Sequence, residues 1–106
     1  MILPTAVDLE RAAERQWRRC GPPLVWENAA GEGAVFDPAS GETHFLSELP
    51  ALLLSSIGQE WHNLASLVVQ IAGTVDLDDQ HRAKILSALT FLESAELVES
   101  RYAEKT

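Results

Sequence analysis

The chain has 106 residues, of which 46% are hydrophobic and 23% are charged, so we expect one globular domain. Its 16 acidic and 8 basic residues give a formal net charge of −8, which argues against binding to the phosphate backbone of nucleic acids. The single cysteine and the lack of a signal peptide or of a long apolar run predict a cytoplasmic protein without membrane contact.

The chain is predicted to contain one domain with an addition at either end. Residues 1–16 are expected to form an N-terminal extension with a short amphipathic helix, for which Thr5 is a suitable cap. The domain itself is predicted to span residues 17–100, and residues 101–106 are expected to form a polar tail.

The domain is predicted to begin with three short antiparallel strands over residues 24–27, 34–37 and 42–46. A tight turn is expected between the last two, because Pro38 presets φ for a central turn position and Gly41 accepts a left-handed conformation. The third strand matters most for function. If one of its edges is free, its N–H and C=O groups can pair with another extended chain.

Three helices are predicted to follow the strands, each with its own start or stop signal. Their expected limits are Ser47 to Gly58, residues 63–72 with a stop at Gly73, and the cap residue Asp78 to about Ala95.

The third helix carries an apolar arc that is about 220° wide, against roughly 100° for an ordinary surface helix. Part of this arc is therefore expected to face something other than the core of the chain. Alternatively, Phe91 on its flank contacts the N-terminal extension or a second copy of the protein.

The order of three strands and three helices, together with the hairpin over residues 36–46, resembles the PqqD-like peptide chaperones, also called RiPP recognition elements. The spacing of Ser40, Gly41, Thr43 and His44 is similar to that of the subgroup encoded beside HPr-kinase-related proteins. The resemblance covers about residues 17–100. It implies an α+β, winged-helix-like fold in which a three-stranded antiparallel sheet precedes a three-helix bundle.

The same resemblance implies a non-enzymatic protein that captures a precursor or leader peptide as an added strand. It would present that peptide to a modifying enzyme, for example an HPr-kinase-related protein. The implied peptide-binding residues belong to the third strand and the third helix: Glu42, Thr43, His44, Phe45, Leu46, Arg82, Ile85, Leu86 and Leu89. Arg82 and Lys84 are expected to attract acidic residues of the peptide. A homodimer remains open, and no cofactor is implied.

Two other functions share this architecture. A winged-helix transcription regulator would need Lys and Arg on its hairpin and recognition helix. Between Gly21 and His81 the chain has nine carboxylates and no Lys or Arg, which disfavours that function. An assembly subunit without a peptide ligand is not distinguished from the peptide chaperone by its sequence.

No catalytic or metal site is predicted. His44 is expected to be partly buried with a structural hydrogen bond, because it lies on the same side of its strand as Leu46. The residues Asp76, Asp78, Asp79 and His81 include metal-binding side chains, but carboxylates at a helix start are expected to cap backbone amides.

Overall fold

The computed structural model describes residues 6–19, 21, 23–29, 32–73 and 78–102. This part of the chain is α+β, as predicted, with four helices and two antiparallel three-stranded sheets. The elements in chain order are α1 (Ala6–Ala12), β1 (Arg15–Arg19), β2 (Val25–Ala29), β3 (Glu32–Asp37), β4 (Glu42–Leu46), α2 (Glu48–Ser56), β5 (His62–Asn63), α3 (Leu64–Ala72), α4 (Asp79–Ser94) and β6 (Val98–Tyr102).

The predicted three-stranded sheet is confirmed as β2-β3-β4, and the limits of β4 are those expected from the sequence. Its second turn forms for the predicted reasons. The amide of Gly41 donates to the carbonyl of Asp37, the Asp37 carboxylate accepts from the amide of Ala39, and Gly41 has a φ of 75°. Strands β2 and β3 extend further toward their connection than the sequence indicated.

The second sheet, β5-β1-β6, was not predicted. Strand β1 pairs along its whole length with β6, from Arg15 opposite Tyr102 to Arg19 opposite Val98. The predicted domain boundary after residue 16 lies within β1, and residues 101 and 102, which were assigned to the polar tail, belong to β6. The expected N-terminal helix is present as α1, and Ala12 at its end is buried, whereas Thr5 lies outside the described residues.

Side chains cap two of the three predicted core helices. Asn63 accepts a hydrogen bond from the amide of Ser66 at the start of α3, and Gly73 ends this helix with a φ of 74°. Asp78 accepts one from the amide of His81 at the start of α4. Ser47 occupies the capping position of α2, but its hydroxyl makes no capping hydrogen bond.

The Asp78 cap predicts a pH dependence of stability. The backbone amide of His81, and then its ring, lower the pKa of Asp78 from its ordinary value of 3.8. Since the folded pKa is below the unfolded one, the stabilisation is complete above the unfolded pKa and is lost as the pH falls through the folded pKa. In urea denaturation, the difference in free energy of unfolding between wild type and Asp78→Ala should therefore shrink below about pH 4.

The uncharged cap of α3 provides the control for this experiment. Asn63→Ala also removes a side-chain acceptor from a helix start, but its amide does not titrate, so its cost should stay constant over the same pH range. Equal pH dependence in the two variants would contradict the role assigned to the Asp78 carboxylate.

Helix α4 lies at the centre of the molecule and packs against α1, α2, α3 and β6. Most of its wide apolar arc is consequently covered by the chain itself. The buried residues of this helix are Ala83, Ile85, Leu86, Ala88, Leu89 and Leu92. Phe91 on the flank of the arc remains 42% exposed.

Candidate functional site

Strand β4 is an edge strand in the part of the chain that the structure describes. All five of its residues pair with β3, from Glu42 opposite Asp37 to Leu46 opposite Gly33, and no second strand pairs with it there. The chain enters α2 directly after β4, and α2 packs against the sheet at β3 and β4. One row of β4 backbone groups is therefore directed away from its sheet, as strand addition requires.

The outer face of the β2-β3-β4 sheet carries exposed apolar side chains. Cross-strand pairing aligns Val25 with Phe36 and Phe36 with Thr43, so that these three side chains form one row across the sheet. Phe45 belongs to the next row on the same face. The exposed fractions are 55% for Val25, 40% for Phe36 and 81% for Phe45. A large aromatic side chain with this exposure, beside a free strand edge, is typical of a contact surface.

The inner face of β4 is closed by the core. Leu46 is buried, and His44 is partly buried beside the buried Val35 on β3. The predicted partial burial of His44 is confirmed, but the expected hydrogen bond is not found at Nε2. This atom has no hydrogen-bond partner among the described residues; a carboxylate oxygen, Oε2 of Glu42, is 3.6 Å away.

The helix residues of the predicted site lie elsewhere. Ile85, Leu86 and Leu89 are buried against the helices that surround α4, so a ligand could reach them only by displacing packed neighbours. Arg82 is partly buried and lines a cavity of about 370 Å³ together with residues of α1 and α3, including Leu9 and Leu64. The structure thus brings the five strand residues together at one edge and leaves the helix residues in the core or near α1.

Charges are distributed unevenly over the molecule. Glu42 and Glu48 are exposed at the two ends of the segment that contains β4. The arginines of the other sheet lie among acidic and aromatic partners. Arg15 forms an ion pair with Glu93 at 2.9 Å, and Arg18 forms one with Glu99. The guanidinium groups of Arg18 and Arg101 lie 4.4 and 4.2 Å from the centre of the Trp61 ring.

A second concave surface, which the sequence did not indicate, lies between the β2 side of the sheet and α2. It has a volume of about 610 Å³ and a mixed polar and apolar lining, with a charged residue at two points. It is lined by Arg19, Leu24, Trp26, Glu48, Ala51, Leu52, Leu54, Ser55 and Ile57. Leu52 of α2 contributes exposed apolar surface to it, at 44% exposure.

The acidic segment before α4 acts as a helix cap where it is described. Asp78 and His81 bond to each other at 2.6 Å and form the cap, while Asp76 lies outside the described residues. Within the described ranges, no group of three or more His, Cys, Asp or Glu side chains is placed to hold a metal ion.

No protein-family model matches this chain, and neither the curated proteins nor the solved structures contain a significant match. Among the described residues, no helix is both long enough and apolar enough to cross a bilayer.

Proposed function

We propose that this chain is a non-enzymatic, peptide-binding domain of the PqqD-like kind. It captures a precursor or leader peptide as an added strand beside β4 and presents it to a modifying enzyme, for example an HPr-kinase-related protein. The proposal includes a winged-helix-like arrangement of β2 to β4 and α2 to α4. The observation that carries it is the free edge of β4 with Phe45, 81% exposed, beside it.

Backbone pairing alone would not hold such a peptide. Four or so main-chain hydrogen bonds contribute about 1 kcal/mol each, whereas association costs roughly 4–15 kcal/mol. Apolar side chains of the peptide must supply the rest, at about 1.5–3 kcal/mol for each one that is fully buried. Phe36 and Phe45 provide the exposed apolar surface for them next to the edge. With three fully buried side chains and an association cost at the lower end of that range, binding would reach about −8 kcal/mol, a micromolar Kd.

Recognition of the peptide is therefore expected at the outer face of the sheet and not at α4. Ile85, Leu86 and Leu89 are buried on α4, which packs against α2, and α2 in turn packs against β3 and β4, so these residues support the site indirectly. A peptide held in an extended form gives the enzyme a substrate whose conformational entropy is already reduced. An enzyme that bound the flexible peptide directly would have to meet this entropy cost itself.

The test is a titration with synthetic peptides taken from short open reading frames encoded beside this protein, followed by amide NMR. We expect chemical-shift changes and slowed hydrogen exchange in Glu42–Leu46. Phe45→Ala should weaken binding about tenfold to a hundredfold, because it removes the apolar surface beside the edge.

Phe91→Ala is the matched control, since it removes an exposed phenyl group from α4, where no contact with the peptide is proposed. Equal losses in the two variants would argue against recognition at the outer face of β4. Unchanged amide signals of Glu42–Leu46 with every peptide would contradict strand addition itself.

A further inference from the structure

The surroundings of the β4 edge are acidic. From residue 21 to residue 81 the chain has no Lys or Arg, and β4 with the residues just before and after it contributes Asp37, Glu42 and Glu48. Glu42 begins β4 opposite Asp37, and its side chain is 68% exposed. A strand that pairs with β4 would thus approach a negative surface without a neighbouring Lys or Arg in this segment.

The described basic residues lie on elements other than β2, β3, β4 and α2, although Arg19 of β1 lines the concave surface on the β2 side together with Glu48. Arg15, Arg18 and Arg101 lie on the β5-β1-β6 sheet, where they contact Glu93, Glu99 and Gln16 respectively. Arg82 lines the cavity next to α1. The expectation that Arg82 attracts an acidic peptide to β4 therefore has no support from its position.

We infer that the peptide which binds at β4 is both apolar and basic. This inference rests on the proposed function and specifies its ligand. Side chains alternate between the two faces of a strand, so Phe45 and Glu42, three residues apart, project to opposite faces. The added strand should therefore carry an apolar side chain opposite Phe45 and, three residues away, a Lys or Arg opposite Glu42. Directly opposite side chains in paired strands are about 5 Å apart, which permits an apolar contact at Phe45 and an ion pair at Glu42.

A second copy of the chain fits this edge less well than a basic peptide. Antiparallel pairing of two β4 edges would bring Glu42 of each chain toward the Leu46 end of the other strand, where the exposed Glu48 follows. Like charges that face each other across strands are destabilising. The charge pattern thus favours a foreign, positively charged segment over a homodimer.

The experiment is a selection of random short peptides, displayed on a library, against the immobilised full chain at low ionic strength. Enriched sequences should combine alternating apolar residues with Lys or Arg. An enriched peptide should bind Glu42→Gln about three- to fivefold more weakly than the wild type, and this difference should diminish with added salt. Glu60→Gln is the matched control, since it removes the same charge from an exposed residue between α2 and β5 and should leave affinity unchanged.

The outcomes separate this inference from the function on which it rests. Enriched peptides that are neutral or acidic, yet shift the amides of β4, would overturn the inference and leave peptide binding intact. The absence of any enriched sequence would count against both. A dimer in sedimentation analysis that Phe45→Ala dissociates would assign the face to a second copy and also overturn the inference.

Discussion

Replacement of Trp17 by alanine is expected to lower the free energy of unfolding by about 3–5 kcal/mol. Trp17 is the largest fully buried side chain, at 0% exposure, and it lies in the middle of β1 between β5 and β6. Because a domain of this size is stable by only about 5–15 kcal/mol, a large share of the population should unfold on mild heating. Urea denaturation followed by circular dichroism measures the effect.

Two further tryptophan variants serve as controls for this loss of stability. Trp17→Phe should retain most of the stability, since the indole Nε1 has no hydrogen-bond partner in the described structure and only packing volume is reduced. Trp61→Ala should cost only about 1 kcal/mol, because the partly buried Trp61 contributes mainly its contacts with Arg18 and Arg101. If Trp17→Ala were as mild as Trp61→Ala, the assignment of Trp17 to the core between β5 and β6 would be contradicted.

Leu89→Ala is expected to cost about 2–5 kcal/mol of folding free energy. Leu89 is 0% exposed on α4, and its removal leaves a cavity among the helices that pack around it. The sequence resemblance implied that Leu89 binds the peptide, which would require it to line an open groove. Truncation of a side chain in such a groove would weaken peptide binding but hardly change the free energy of unfolding. Thermal unfolding of the free protein therefore distinguishes a core role from a groove role.

The neighbouring Thr90 supplies the control for Leu89. Thr90→Ala removes a hydroxyl that donates to the carbonyl of Leu86 one turn earlier, on the exposed side of the same helix, and should change stability by at most about 0.5 kcal/mol. If Leu89→Ala and Thr90→Ala had equal melting temperatures, the burial of Leu89 in the core would be contradicted, and a role in an open peptide-binding groove would be supported.

The elements that could be predicted are those whose signals are local. The hairpin between β3 and β4 depends on a turn of five residues, and α3 and α4 begin at capping residues directly before their first turns. Each signal acts within four positions of the structure it specifies, so no knowledge of tertiary contacts is needed.

The β1–β6 pairing could not be predicted in this way. Its strands are rich in charged residues, and only Trp17 of β1 is fully buried, so the sequence alternation is weak. The polar side chains are accommodated by partners far along the chain, such as Glu93 and Ser100 for Arg15. Tertiary contacts thus override the low strand propensity of this segment.

The candidate site also contains a part that local signals predict, the β4 edge, and a part that depends on tertiary contacts, helix α4. The edge position of β4 follows from the order of three adjacent strands, and the exposure of Phe45 follows from its alternation with Leu46. The arc on α4 was read as excess surface because a single sequence does not show how many elements surround a helix. Four elements pack against α4, and this coverage accounts for most of the arc.

The pairing of β1 with β6 also has a consequence for biosynthesis. Arg15 and Ser100, which contact each other in the folded protein, are 85 positions apart, and a ribosome adds about 5–20 residues per second. Strand β1 is therefore complete for roughly 4 to 17 seconds before its partner has been translated. During that interval Trp17 lacks the neighbours that bury it, so the nascent chain passes through a stage at which chaperones can bind it.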